Sequence, residues 1–276
     1  MTKFKNSNNK HIKNNKQARK EEVIYGKNAC FGCIESFKNG TKNRNIYTIY
    51  ISQEKYGEYL NKIPQELKNI IQKVNQHELF IMTHEQDKHQ GIACKVSSFR
   101  FTNIDDLIDT CKNKQDNVGN NICKNSIFLL DRVQDPHNVG NIIRTAFCFG
   151  VDGIILPERD SCGITPAVVR TSVGYSEKIP ICQVVNIANA IDKLKQNDYV
   201  VIGFDVNTNT NDDITKIIEK NDKFVFIFGS EGKGMKDLTK KKCDILLRLP
   251  MSDEAESLNV ANTTTIVGWE IMKAKL

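Results

Sequence analysis

From residue 126 onward the chain returns five times to a short, unbroken apolar run, at 127–130, 153–156, 199–204, 224–228 and 245–249. A strand wetted on one face alternates apolar and polar residues. Continuous runs belong to strands covered on both faces, which is the habit of parallel sheets. Helical patterns fill the intervals at 138–149, 187–195 and 213–220. Strands alternating with helices predict an α/β fold, an open sheet layered on both sides. The dinucleotide version of that fold needs Gly-x-Gly-x-x-Gly after its first strand, and a nucleotide triphosphatase needs a Gly-Lys-Ser/Thr loop. Neither occurs in this sequence. A nucleotide-dependent oxidoreductase is thereby set aside.

The chemistry-bearing residues gather just after three of these runs. After the run at 127–130 comes Asp131-Arg-Val-Gln-Asp-Pro-His-Asn-Val-Gly-Asn-Ile-Ile-Arg144. Pro136 punctuates a turn, and Ile142, Ile143, Ala146 and Phe147 give a helical apolar face. Asn138 is a plausible N-cap, and Gly140 admits a close backbone or ligand. Arg144 lies roughly a third of a turn round the helix from Asn138, so both can border one pocket. After 224–228 the chain enters Gly229-Ser-Glu231-Gly232-Lys-Gly234. After 245–249 a polar loop leads to a helix with its cap expected near Ser257. A strand-turn-helix edge with a cap amide and an arginine suits an anion or a polar substrate.

Asn-x-Gly-x-x-x-Arg at 138–144, Gly-x-Glu-Gly-x-Gly at 229–234 and Ser-Leu-Asn-Val at 257–260 resemble the three signature motifs of the SpoU family of RNA ribose 2'-O-methyltransferases, within the SPOUT class. The resemblance covers about 126–276, with a weaker one over 23–100. It implies a C-terminal trefoil-knotted methyltransferase domain built on a parallel sheet (125–276) and a homodimer formed at the knot. It also implies S-adenosyl-L-methionine as cofactor. Knots are too rare for periodicity to predict one. By the same resemblance Arg144 maps to the family's catalytic arginine, and Asn138, Glu231, Ser257 and Asn259 complete the set. For Ser257 a plain capping role stands beside a catalytic one. Gly229, Leu249 and Leu258 match the positions whose backbone meets the cofactor, with Gly232 and Gly234 allowing close approach. Leu249, Pro250, Met251 and Leu258 can wall the adenine.

Residues 23–101 read as a small α/β unit: a strand at 23–26, a helix at 30–37, a strand at 46–51, a helix at 65–74, and strands at 79–82 and 91–97. This unit resembles the family's N-terminal RNA-binding domain, and His89-Gln90-Gly91 matches an element of it. The usual histidine is replaced by Asn28. His89 is a candidate RNA contact or a structural histidine. Arg170, in a further matching segment at 165–177, is a candidate phosphate contact or a solvated helix arginine. Tyr175 there takes the place of a small residue. Residues 102–124 read as a short helix at 104–111 and then a flexible linker that lets the first unit swing.

Composition agrees with an RNA partner. The formal net charge is +6, and the tail 1–22 concentrates lysine with almost no apolar residue, so it is expected to be disordered. That tail either adds non-specific phosphate attraction or does nothing. No run is long enough to cross a membrane, and no export signal opens the chain. The nine cysteines then read as reduced thiols of a cytoplasmic protein. Cys30-x-x-Cys33 has the spacing of a metal pair, but no second pair follows at finger spacing, and the expectation is two buried thiols and no metal. The function expected is 2'-O-methylation of RNA, at a guanosine of large-subunit ribosomal RNA. Transfer RNA is the alternative substrate, and a non-catalytic ribosome-assembly protein the alternative class.

Overall fold

In a computed structural model the structure describes residues 21–41, 43–116, 124–208, 213–252 and 254–276. The first unit contains β1 (Glu21–Tyr25), α1 (Lys27–Lys38), β2 (Ile46–Ser52), α2 (Tyr56–Leu60), β3 (Ile71–Val74), α3 (Gln76–Thr83) and β4 (Ile92–Ser97). Its sheet runs β1-β4-β2-β3, with β4 antiparallel to both neighbours and β2 parallel to β3.

Three expectations change here. Residues 21 and 22 are not tail but strand, and Glu22 pairs with Arg44; the rest of the expected tail, 1–20, lies outside the described residues. The helix expected at 65–74 is a 3-10 stretch, Gln65–Ile70, that gives way to β3, because Ile70, Ile71 and Val74 are β-branched and favour extended backbone. The strand expected at 79–82 is the end of α3. Asn75 and Glu78 close a reciprocal capping box, with Glu78 N donating to Asn75 Oδ1 at 2.9 Å and Asn75 N to Glu78 Oε2 at 2.7 Å. A short apolar run cannot tell helix from strand, and the cap decides it.

The second unit follows with α4 (Ile104–Asp116), β5 (Asn125–Asp131), α5 (Pro136–Cys148), β6 (Gly153–Pro157), α6 (Pro166–Thr171), β7 (Ile181–Val184), α7 (Ile187–Lys195), β8 (Val200–Phe204), α8 (Ile214–Lys220), β9 (Lys223–Gly229), α9 (Asp237–Lys242), β10 (Ile245–Leu247) and α10 (Val260–Lys275). All six strands are parallel, in the order β10-β8-β9-β5-β6-β7. The period of two along each strand sorts its side chains. Phe128, Leu130, Phe226 and Phe228 join the core with α5 and α10. Ile127, Leu129, Val225 and Ile227 join the one with α4 and α7. Burial on both sides is why these strands carry no polar alternation.

Residues 102–116 are not slack. The apolar face of α4, Leu107, Ile108 and Cys111, is buried against the parallel sheet, and Thr102 N donates to Ile181 O at 2.9 Å. The remainder of the expected linker, 117–123, lies outside the described residues. The two units also meet backbone to backbone: a Cβ on Gly32 would lie 2.7 Å from Gly174 O. Arg44, with a fully buried side chain, donates from Nε to Glu177 Oε1 at 2.9 Å and from Nη1 to Glu22 Oε2 at 2.7 Å. Its remaining bonds go to Ser97 O and Ile164 O. Cys30 and Cys33 sit in α1 with both thiols buried in the same core, and burial pushes the Cys33 thiol well up.

Candidate active site

The site forms where β9, β5 and the start of α10 come to one sheet edge. Asp135, not Asn138, caps α5: its carboxylate accepts from His137 N at 3.0 Å, and Pro136 occupies the first turn. Asn138 is thereby released from capping. Val139, Ile142, Ile143 and Ala146 bury the inner face of the helix. Gly140 serves α6 rather than a ligand, since a Cβ there would come within 2.5 Å of Thr171 Cβ.

β9 ends at Gly229, and the chain doubles back at once. Gly234 N donates to Ser230 O at 2.9 Å, while Gly232 and Gly234 hold φ of 76° and 60°. A Cβ on Gly229 would sit 2.3 Å from both Gly234 C and Met235 N, backbone atoms that cannot move aside. Gly229→Ala is therefore expected to open this turn and weaken S-adenosyl-L-methionine binding at least about tenfold, more than 1.4 kcal/mol. Titration calorimetry on the folded variant checks it, and an unchanged affinity would refute the tight turn.

Asn259, not Ser257, caps α10. Its Oδ1 accepts from Ala261 N at 2.8 Å and Asn262 N at 3.4 Å. Its amide nitrogen faces the other way, donating to Asn138 Oδ1 at 3.2 Å and to Glu231 Oε1. Asn138 Nδ2 donates to that same Glu231 oxygen at 3.0 Å. Three side chains from three motifs thus close one ring of hydrogen bonds. One carboxylate oxygen of Glu231 takes both amides, and Oε2 is left for another donor.

Two cavities flank this ring. The first, about 310 Å³, is lined by all six residues expected to meet the cofactor: Gly229, Gly232, Gly234, Leu249, Met251 and Leu258. Phe204 and Phe228, stacked at 5.2 Å, extend its apolar wall. Glycine backbone on one side and an apolar wall on the other suit an adenosine group. Ser257 lies on the rim. Pro250, expected in the wall, is exposed and outside it. The second cavity, about 470 Å³, is lined by Arg132, Asn138, Asp160, Lys233 and Lys236 and shares Ser230, Glu231 and Val260 with the first.

The remaining expected residues stand apart from the ring. Arg144 is exposed on α5 and makes no hydrogen bond or ion pair with a described residue. Arg170 is turned inward: Nη1 donates to Glu85 Oε1 at 3.3 Å, and the guanidinium lies 5.6 Å above the Tyr25 ring, so it joins the two units rather than presenting a free charge. His89 is buried, with Nδ1 accepting from Gly91 N at 3.1 Å, and holds the turn before β4 instead of reaching outward. Tyr175 stacks on Phe147 at 4.3 Å. Sequence reading passed over two residues. Asp131 Oδ2 accepts from Lys236 N at 2.7 Å and so braces the glycine turn, a role that a charged residue ending a buried strand could have signalled. Arg132 had no signal beyond its neighbourhood.

Comparison with known proteins agrees with this layout. Residues 125–269 match the model of the SpoU rRNA Methylase family, and residues 23–102 match that for RNA 2'-O ribose methyltransferase substrate binding. A TrmH family tRNA/rRNA methyltransferase of Bacillus subtilis, YacO, is 29% identical over 94% of this chain and 98% of its own length. One from Staphylococcus haemolyticus is 30% identical, over 79% of this chain and 90% of its own. Among solved structures, an AdoMet-bound rRNA methyltransferase from Sinorhizobium meliloti superposes with a TM-score of 0.73 at 22% identity, over 93% of this chain and 88% of that one. The SpoU methyltransferase AviRb from Streptomyces viridochromogenes does so with a TM-score of 0.69 at 20% identity, over 92% and 90%. These two share the fold. The matched family, the relatives and the geometry converge: the chain belongs to the SpoU rRNA Methylase family and is an RNA methyltransferase.

Proposed function

We propose that this protein uses S-adenosyl-L-methionine to methylate a ribose 2'-hydroxyl of RNA, at a guanosine of large-subunit ribosomal RNA. The observation that carries the reading is the pair of cavities that meet at the Asn138–Glu231–Asn259 ring. One cavity suits the cofactor, and the other opens beside it for the nucleotide. The substrate-binding match over 23–102 supports RNA as the partner, and the resemblance of the first unit, with its His89-Gln90-Gly91 element, to the family's ribosomal-RNA members favours ribosomal over transfer RNA.

The cofactor supplies an electrophilic methyl group on its sulfonium. A hydroxyl is a poor nucleophile, so the protein has to align it and stabilise the charge it gains. Glu231 Oε2 is placed to accept from the substrate, while the two asparagine amides fix the carboxylate in one rotamer. Arginine stays protonated at any working pH, which makes Arg144 a poor base. The resemblance assigns it instead the developing oxyanion and the adjoining phosphate, which its forked donors suit. Ser257, on the rim, contributes a hydroxyl that no cap requires.

The reading includes a homodimer and the family's knot. In support, Ile266, Trp269 and Phe147 leave an exposed apolar surface on α10 and α5. Leu249, Met251, Ser257 and Leu258 also line one cavity with the turn at 229–234.

The test is methyl transfer from radiolabelled S-adenosyl-L-methionine into RNA from a strain lacking this gene, fractionated into ribosomal and transfer RNA. Label is expected in an alkali-resistant dinucleotide from the large ribosomal RNA. Label confined to transfer RNA would overturn the substrate, and alkali-labile label would overturn 2'-O chemistry.

A further inference from the structure

We propose that Arg132, with Lys233 beside it, forms a phosphate-binding site in the second cavity, holding the RNA backbone next to the target ribose. The inference deepens the RNA-methylating reading above and rests on it.

Charge pairing around the cavity points there. Its carboxylates each have a donor: Asp135 accepts from His137 N, Glu231 from the two asparagines, and Asp160 from Lys236 Nζ at 2.8 Å. Lys236, with Arg132 and Arg159 contributing at longer range, holds the Asp160 carboxyl below its ordinary range. Arg132 and Lys233 are the cations of this wall with no ion pair among the described residues. Arg132 is only half-buried. Its Nη2 donates to Gly234 O at 3.0 Å and Lys233 O at 3.3 Å, and its Nε–H is buried with no partner. Two neutral carbonyls steer a guanidinium without neutralising it. A guanidinium with no ion pair among the described residues, on the wall of a cavity beside Glu231, matches a phosphate, which takes two arginine donors at once.

The backbone adds a second argument. Arg132 adopts φ of 66°, a left-handed conformation that costs a side-chain-bearing residue of order 1 kcal/mol or more. Glycine would sit there without strain. The strained residue is one whose guanidinium reaches the glycine turn and lines the cavity.

The experiment measures binding of in vitro-transcribed large-subunit ribosomal RNA against salt for the wild type, Arg132→Gly and Arg132→Lys, with S-adenosyl-L-methionine affinity measured alongside. Arg132→Gly relieves the backbone, so folding is retained. It is expected to weaken RNA binding about tenfold and to flatten the log–log salt slope by about 0.7–0.9, the value of one lost phosphate contact. Arg132→Lys keeps the charge and should keep most of that slope. An unchanged slope in Arg132→Gly, or a Lys variant as flat as the Gly one, would make Arg132 only a brace for the turn and overturn the site. Methylation of the same transcript is scored separately. A flattened slope with an unmethylated transcript would refute the choice of substrate while the phosphate site stands. A methylated transcript with an unchanged slope would do the reverse.

Discussion

Replacing Arg144 with alanine is expected to lower the methyl-transfer rate by at least about a hundredfold, the usual cost of removing one donor to a developing oxyanion. S-adenosyl-L-methionine should bind the variant within about twofold of wild type. The two effects separate because Arg144 lies on the outer face of α5 and takes no part in the wall of the cavity proposed for the cofactor. Its guanidinium is exposed and uncommitted, so removing it leaves no buried partner stranded and should not disturb folding. Arg144→Lys restores the charge but not the fork, and should recover less than a tenth of the lost rate. Single-turnover kinetics with saturating cofactor is the measurement, and a wild-type rate in Arg144→Ala would remove this residue from the chemistry.

Arg44→Ala should produce the largest loss of stability, about 3–5 kcal/mol, because it strands a buried carboxylate. Glu177 is fully buried, its Oε1 accepts from Arg44, and its Oε2 has no partner. Burial already raises its pKa above the ordinary carboxyl value, against the opposing pull of Arg44. A carboxyl with a higher pKa folded than unfolded contributes stability at low pH and loses it as pH climbs through the folded value. Without Arg44 that value rises further. The deficit of the variant should therefore be greatest at neutral and alkaline pH, and shrink as acid puts a proton on Glu177. Thermal melts across pH test this, and Glu177→Gln in the Arg44→Ala background should recover much of the loss at pH 7. A deficit that does not change with pH and survives Glu177→Gln would locate the loss in packing instead of charge.

The sheet was legible because parallel strands buried on both faces leave long apolar runs, as at 127–130 and 224–228. β7 left none: it spans four residues and includes Gln183, and only its pairing with β6 identifies it. The positions expected to meet the cofactor came from the family resemblance, and the structure brings Gly229, Leu249 and Leu258 to one cavity while leaving Pro250 outside it. The caps could not be read. Asn138 and Ser257 both looked like helix starts, yet Asp135 and Asn259 hold those places, because a cap depends on which of several polar residues the entering backbone aims at the free N–H groups. Nor could the packing of the two units be foreseen. Arg44 and Glu177 stand 133 residues apart, and the polar stretch between 102 and 124 suggested slack where α4 is packed.

Asn259 does two things with one side chain: its oxygen starts α10 and its nitrogen fastens Glu231 and Asn138. The consequence concerns timing during synthesis. Asn138 precedes Asn259 by 121 residues. At about 5–20 residues per second, roughly 6–24 s of translation separate them. Glu231 follows Asn138 by 93 residues and precedes Asn259 by 28, so the carboxylate is made with one of its two asparagine amides still to come. Competence arrives in a single late event, when the closing helix nucleates, so an unfinished or C-terminally clipped chain should be inert toward RNA rather than partly active.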